Sequence, residues 1–169
     1  MIGRAAKVVL ALALLLVVAS FVVQAFPGLV GADYALSVLS GSMEPAIGTG
    51  SIVFVAETPP EQIQENDVIT YRDDGGNFVT HRVVEKIEVL TSVRFRTRGD
   101  ANDAPDPEPV YQEDVVGTVL FSIPLLGYVV SFGNTTAGYV VLVLVPVMLF
   151  IFSELWELWK AGTRNEEHT

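Results

Sequence analysis

The stretch LSGSMEP, residues 39–45, follows a membrane-length apolar run and opens the polar part of the chain. Ser40 and Ser42 flank a glycine, and Pro45 favours a turn at this point. The chain contains no cysteine, so a serine hydroxyl is the best nucleophile that it offers. We therefore take Ser42 as the candidate nucleophile and ask which other segments would anchor it, activate it or form a groove beside it.

Apolar residues concentrate at the two ends of the 169-residue chain. The first block, residues 8–26, is almost long enough to cross a hydrocarbon core of about 30 Å and is predicted to be a transmembrane helix. Arg4 and Lys7 precede it, and this positive charge predicts that residues 1–7 stay in the cytoplasm. The alternative is a cleavable signal sequence with a small-residue cleavage site at residues 23–25.

A second apolar block covers residues 137–152 and contains Pro146, which a kinked membrane helix tolerates, and the predicted second transmembrane helix covers residues 137–155. Trp156 and a second tryptophan follow it in the manner of an interfacial belt. Two spans would leave residues 156–169 as a cytoplasmic tail. The predicted localisation is therefore the cell membrane, with two spans and the intervening region on the extracytoplasmic side.

The intervening region, residues 27–136, has the pattern of short β-strands and shows no helical period of useful length. The sequence DDGGN at 73–77 is a strong hairpin signal, and alternation along 93–98 places three arginines on one face. We predict a mainly β fold, an antiparallel β domain flanked by N- and C-terminal transmembrane helices. The predicted strands are 51–55, 68–72, 78–87, 93–98 and 115–121.

Acidic residues outnumber basic ones 20 to 10, which gives a net charge of −10. An acidic surface repels phosphates and argues against a nucleic-acid partner. It also suits a protein that works in high salt, where self-repulsion is screened. With no cysteine and two histidines, the sequence leaves little room for a metal site built on cysteine or histidine.

A serine hydroxyl becomes an effective nucleophile when a base takes its proton. His81 is the only histidine in the predicted β region, and its ordinary pKa of about 6.5 suits a general base near neutral pH. Lys86 is the only lysine there, and five positions along a regular strand it would face the other side of the sheet. We therefore favour His81 as the base. The alternative is a structural role, in which His81 only packs on a face of the sheet.

An imidazole that gains a proton needs an acceptor to orient it. The loop RGDANDAPD, residues 98–106, supplies Asp100, Asp103 and Asp106, and composition does not choose among them. The alternative is that this loop is a solvated acidic turn with no role in orienting a histidine. An acyl-transfer site also needs preset donors for the oxyanion. The backbone N–H of Ser42 and the hydroxyl of Ser40 are the candidates.

These segments together resemble the type I signal peptidases, and most closely the Ser-His branch found in archaea and in the endoplasmic reticulum. SGSMEP at 40–45 is similar to the nucleophile box of that family. THRVV at 80–84 is similar to the box in which bacterial relatives carry lysine and this branch carries histidine. RGDAN at 98–102, continued to Asp106, resembles the Gly-Asp box. The resemblance covers about residues 36–127.

The resemblance implies that Ser42 is the nucleophile, that His81 is the general base and that Ser40 contributes to the oxyanion site. It further implies that Asp106 is the partner of His81 and that Asp100 has a structural or supporting role. A β fold, shallow pockets for small side chains and the absence of a metal or cofactor are also implied.

The loop departs from the family pattern at Pro105 and Pro107, which keeps Asp103 as a spare candidate. Asn134 begins a match to the glycosylation acceptor pattern.

The implied function is that of a membrane-bound serine endopeptidase that cleaves signal peptides from exported preproteins. Its partners would be those signal peptides, the lipid bilayer and the protein-export channel. One alternative is a related membrane protease that processes a narrower set of surface proteins. Another is a non-catalytic membrane-anchored β scaffold, which predicts that Ser42 and His81 lie far apart.

Overall fold

The computed structural model describes residues 4–90 and 92–166, and His168 lies outside these residues. The described chain divides into two units. Residues 23–128 form a β unit, and residues 4–22 together with 129–166 form a helical unit.

The β unit is built from seven strands, with a 3₁₀ turn before the first strand (Pro27–Val30) and another before the third (Pro60–Gln62). The strands are β1 (Tyr34–Ser37), β2 (Ile52–Ala56), β3 (Val68–Arg72), β4 (Phe78–Val89), β5 (Ser92–Arg98), β6 (Val110–Tyr111) and β7 (Val115–Ile123).

The strands form one sheet in the order β1-β2-β7-β3-β4-β5-β6, and every pairing is antiparallel. This confirms the predicted mainly β fold class, and all five predicted strands are present. Two short strands, β1 and β6, were not predicted, because four and two residues are too few to show an alternating pattern. Within residues 27–136, where the sequence shows no helical period of useful length, the structure has a short α-helix, α2 (Leu126–Gly133), which is almost entirely apolar.

Two apolar clusters hold the sheet together. One lies on the β3–β4–β5 side and is formed by Ile63, Ile69, Tyr71, Val83, Val93, Phe95 and Val110. The other packs the turn after β1 against β2 and is formed by Met43, Ile47, Val53 and Val55. Along β5 the buried residues alternate with Arg94, Arg96 and Arg98, which confirms that the three arginines share one face.

A bulge in β4 corrects one prediction about side-chain direction. The register shifts between Val83 and Glu85, so that Val83 lies opposite Thr97 while Lys86 lies opposite Phe95. Thr97 and Phe95 point to the same face, and the extra residue therefore returns Lys86 to the face that His81 occupies. The Lys86 ammonium nevertheless bonds to the Glu61 carbonyl at 2.7 Å, on the loop before β3.

The helical unit contains most of α1 (Arg4–Ala25), then α3 (Thr136–Tyr139), a π turn (Val140–Leu144) and α4 (Val145–Glu166). The π turn ends just before Pro146, where a continuous helix must adapt to a residue without an N–H. The Lys7 ammonium lies 2.8 Å from the Glu154 carboxylate, so the start of α1 lies beside α4. Two stretches, Lys7–Ala25 and Thr136–Trp156, are long and apolar enough to cross a membrane, judged by length and composition.

We expect Gly117→Ala to destabilise the β unit. Gly117 is buried in β7, and an added Cβ would collide with the backbone carbonyl of Ala56 on β2. Overpacking of this kind costs about 1–3 kcal/mol. Gly28→Ala is the matched control, because nothing lies within 4 Å of a Cβ at that position. Denaturant unfolding followed by circular dichroism should separate the two variants, and equal midpoints would contradict the close packing at Gly117.

Candidate active site

Ser42 lies in the turn that joins β1 to β2, and its position is determined by the residue that follows it. Met43 is fully buried, and with Ile47 it packs against Val53 and Val55 of β2. The apolar anchor leaves Ser42 half-buried at the surface of the sheet. The turn is thus held by its core contacts rather than by its own hydrogen bonds alone.

The loop after β5 is docked directly on the backbone of this serine. The Ala101 N–H donates to the Ser42 carbonyl at 2.8 Å. A Cβ at Gly99 would lie 2.5 Å from the same carbonyl oxygen, so only glycine permits this approach. The Gly-Asp segment noted in the sequence therefore fixes the turn that carries Ser42.

His81 lies on β4, opposite Ile69 of β3, and only 8% of its surface is exposed. Its Nε2 is 3.1 Å from the Ser42 hydroxyl, and its Nδ1 is 2.7 Å from Oδ2 of Asp106. A carboxylate can only accept, so the Nδ1–H donates to Asp106 and leaves Nε2 free to accept from Ser42. The structure thus brings together a hydroxyl, an imidazole and a carboxylate in the order that nucleophilic catalysis by serine needs.

Asp106 is the aspartate that meets His81, although prolines flank it on both sides. Its backbone N–H donates to the Thr97 carbonyl at 2.8 Å. Its Oδ2 also accepts from the Thr97 hydroxyl at 2.6 Å and is 3.3 Å from the Tyr71 hydroxyl. The backbone bond anchors the loop to the end of β5 and offsets the hydrogen bonds that Pro105 and Pro107 cannot donate.

Sequence reasoning missed Thr97 and Tyr71. Thr97 has no exposed surface and Tyr71 has 9%. Burial, together with the nearby Asp106 charge, raises the pKa of Tyr71 to about 12, although its contact with Thr97 works in the opposite direction. A signal for Thr97 was present, because it is a polar residue at a core position of the alternating pattern along β5. Tyr71 carried no comparable signal.

Asp100 and Asp103 do not reach the imidazole ring nitrogens. The Asp100 carboxylate accepts two bonds from Arg82, from Nε at 2.8 Å and from a terminal nitrogen at 2.7 Å. These bonds hold the pKa of Asp100 below its ordinary value, and burial only partly offsets them. Arg82 also donates to the Asn66 carbonyl, so the pair ties the Gly-Asp loop to the sheet. Asp103 is exposed.

Ser40 lies on the same side of the turn as the nucleophile. Its hydroxyl oxygen is 3.4 Å from that of Ser42, and either could donate. A hydroxyl at this distance can reach an oxygen that develops on a carbonyl carbon attacked by Ser42. The second predicted oxyanion donor, the Ser42 N–H, belongs to the attacking residue itself.

Ser42 and His81 open into a groove of about 620 Å³. Its lining is largely apolar and comes from the β1 end and from the start of β4. Among the described residues no group of three or more His, Cys, Asp and Glu side chains could hold a metal ion. The apolar lining residues are Leu36, Val38, Leu39, Met43, Ile47, Val53, Phe78 and Val79.

No protein-family model matches the chain. Among curated proteins, it is similar to signal peptidase I W of Bacillus subtilis (strain 168), with 46% identity over 80 residues, 47% of this chain and 42% of that protein. It is also similar to the signal peptidase complex catalytic subunit SEC11 of Colletotrichum graminicola, with 33% identity over 101 residues, 54% of this chain and 59% of that protein. The Pyrenophora tritici-repentis subunit sec11 is 38% identical over 103 residues, 54% of this chain and 58% of that protein.

The chain thus spans between about two fifths and three fifths of the length of these curated relatives. Their names confirm the resemblance to the type I signal peptidases that the sequence predicted. Together with the two apolar helices, these relatives suggest a membrane-associated protein.

We expect Asp100→Asn to remove a pH-dependent part of the stability. Because the folded pKa of Asp100 is depressed, its ion pair with Arg82 stabilises the fold above the unfolded pKa and is lost as the pH falls through the folded value. The difference in unfolding midpoint between wild type and variant should therefore shrink as the pH falls from about 6 to about 3. Asp103→Asn, an equal charge change at an exposed position outside this ion pair, is the matched control. A constant difference for Asp100→Asn would contradict the assigned ion pair.

Proposed function

We propose that the chain is a membrane-bound serine endopeptidase that cleaves signal peptides from exported preproteins. The observation that carries this proposal is the continuous hydrogen-bonded array of Ser42, His81 and Asp106 at the edge of an apolar groove. The names of the sequence relatives support the substrate class. A non-catalytic scaffold has no need of a serine held 3.1 Å from a histidine nitrogen.

In the proposed mechanism, His81 Nε2 takes the proton of the Ser42 hydroxyl while the oxygen attacks the scissile carbonyl carbon. The imidazolium keeps its Nδ1–H on Asp106, whose negative charge stabilises it. The new oxyanion accepts from the Ser40 hydroxyl and the Ser42 N–H. His81 then gives its proton to the departing amine, which leaves an acyl-enzyme. A water molecule then gives a proton to the same nitrogen as its oxygen bonds to the acyl carbon. The bond from that carbon to the Ser42 oxygen breaks, and His81 returns the proton to Ser42.

The groove supports binding of the substrate as an added strand. Val38 exchanges backbone hydrogen bonds with residues 50 and 51, so the main-chain groups of Ser37 and Leu39 point away from β2. Across the groove, Phe78 to Thr80 pair with β3 on one side, and the pairing of β4 with β5 begins only at Arg82. An extended peptide between these two edges would gain main-chain hydrogen bonds, and the shallow apolar lining would select small side chains.

The membrane arrangement that we propose has two spans, with both chain ends in the cytoplasm and the β unit on the extracytoplasmic side. The ion pair between Lys7 and Glu154 supports it, because it brings the N-terminal end of one candidate span beside the C-terminal end of the other. Arg4 and Lys7 satisfy the positive-inside rule. Substrate would reach such an enzyme from the bilayer, beside the protein-export channel.

We expect Ser42→Ala and His81→Ala each to reduce cleavage of a labelled preprotein by about 10⁴-fold or more, the usual cost of losing one member of such an array. His81→Lys should fail as well, because a lysine acts as a base only in a site that lowers its pKa. Cleavage by purified protein in bilayer vesicles measures this. Normal processing of the preprotein by either alanine variant would contradict the mechanism. A separate panel of preproteins and surface-protein precursors would establish which substrates are cleaved.

Asp106 and Asp103 lie in the same loop, but Asp106 bonds to His81 while Asp103 is exposed, so their substitutions should have different effects. We expect Asp106→Ala to lower kcat by about 10³- to 10⁴-fold, since the imidazole loses its orienting carboxylate. Asp103→Ala, at an exposed position in the same loop, should stay within about twofold of wild type, as surface substitutions usually do. An equal loss of kcat in both variants would show that the loop matters only as a whole.

A further inference from the structure

The Oδ2 atom of Asp106 is the meeting point of three donors. His81 Nδ1 lies 2.7 Å away, the Thr97 hydroxyl 2.6 Å away and the Tyr71 hydroxyl 3.3 Å away. One carboxylate oxygen thus accepts hydrogen bonds from the proposed catalytic histidine and from two buried hydroxyls. These bonds leave the carboxylate group little freedom to rotate.

The sheet explains how the two hydroxyls reach the same atom. The strands β3 and β5 lie on either side of β4, which carries His81. Tyr71 is two residues beyond Ile69, the partner of His81, and Thr97 lies opposite Val83, two residues beyond His81. Both hydroxyls therefore stand on the His81 face, one on each neighbouring strand.

We propose that Thr97 and Tyr71 are positioning residues that hold the Asp106 carboxylate against His81. This inference rests on the proposed serine-protease function. Without the two hydroxyls, His81 would be the one remaining partner among the three that contact Oδ2, although the Asp106 backbone stays bonded to Thr97.

A competing orientation for the carboxylate is available. The Asp106 side chain is 17% exposed and borders a second cavity of about 350 Å³. Asp73, Glu108 and Asp114 also line that cavity, so hydrated carboxylates lie beside its apolar wall. Water there competes for the carboxylate oxygens, and the two buried hydroxyls oppose this by offering donors on the His81 side.

The two hydroxyls remain donors throughout the pH range in which a histidine base works. The raised pKa of Tyr71 keeps its proton in place, and a threonine hydroxyl does not ionise. Their contribution should therefore act on the rate of the chemical step rather than on substrate affinity, since neither residue lines the groove.

The kinetic test uses Thr97→Val and Tyr71→Phe in the full-length protein, in bilayer vesicles with a labelled preprotein. We expect kcat to fall roughly 10- to 100-fold for Thr97→Val, as for other bonds to charged groups, and less for the longer Tyr71 bond. KM should stay within about twofold of the wild-type value, because the substitutions leave the contacts that bind the substrate in its ground state unchanged. Thr97→Ser should restore most of kcat. Thr118→Val, which deletes a hydroxyl bonded to Thr58 in the same sheet, is the matched control and should behave as wild type.

A mutant cycle separates positioning from a general structural role. In an Asp106→Asn background, Thr97→Val should cost little further kcat, because the group on which it acts is already altered. An undiminished cost in that background, or a loss confined to KM, would overturn the proposal.

A measurement without substrate keeps this inference distinct from the proposed function. In His168→Gln protein labelled with ¹⁵N-histidine, the Nδ1 proton resonance of His81 reports its bond to Asp106. It should move upfield in Thr97→Val and in Tyr71→Phe, and not in Thr118→Val. An unmoved resonance in both variants overturns the positioning role. Failure of the wild type to cleave any preprotein, with the resonance shifts present, contradicts the proposed substrate and leaves the positioning role supported.

Discussion

The hydrogen bond from the Ala101 N–H to the Ser42 carbonyl is the contact on which the candidate site depends. It joins two loops that are nearly sixty residues apart in sequence, and it forms only because Gly99 has no Cβ to strike the same oxygen. Through it the turn that holds the nucleophile and the loop that holds Asp106 become one piece. The bidentate pair of Asp100 and Arg82 then fastens that piece to the sheet. Asp100 thus supports the array through the backbone rather than by touching His81.

The sheet supplies the remaining member of the array. His81 lies in the first half of β4, opposite Ile69 of β3 and one residue before the pairing with β5 begins. Bonds at both ring nitrogens fix the orientation of its ring. The candidate base lies on a strand and the candidate nucleophile on a turn, so the two meet only if the turn is held against the sheet. The buried Met43 does this by docking the turn on β2. Apolar burial therefore positions the serine, while hydrogen bonds position the histidine and its carboxylate.

Much of this arrangement could be predicted from the sequence. The parts that could not be predicted have a physical cause in common. Ser42 and His81 stood out because a chain without cysteine and with one histidine in its β region offers few alternatives. Asp106 was indicated only by family resemblance, since three aspartates in one loop look alike until the loop is folded. Tyr71 becomes relevant only when β3 pairs with β4. The direction of Lys86 was predicted wrongly because a bulge inverts the alternation and leaves no mark in the local sequence.

The same hydrogen bonds that build the site also make it compatible with the core. Asp106, Thr97 and His81 lie beside an apolar cluster that includes Val83 and Phe95, where an unpaired polar group would be costly. A buried polar network stabilises a fold only when its members are satisfied, and here each hydroxyl and ring nitrogen has a partner. Close packing of the β unit therefore also maintains the arrangement of His81, Thr97 and Asp106. For the same reason, a loss of activity in this region can be assigned to chemistry only when stability is measured beside it.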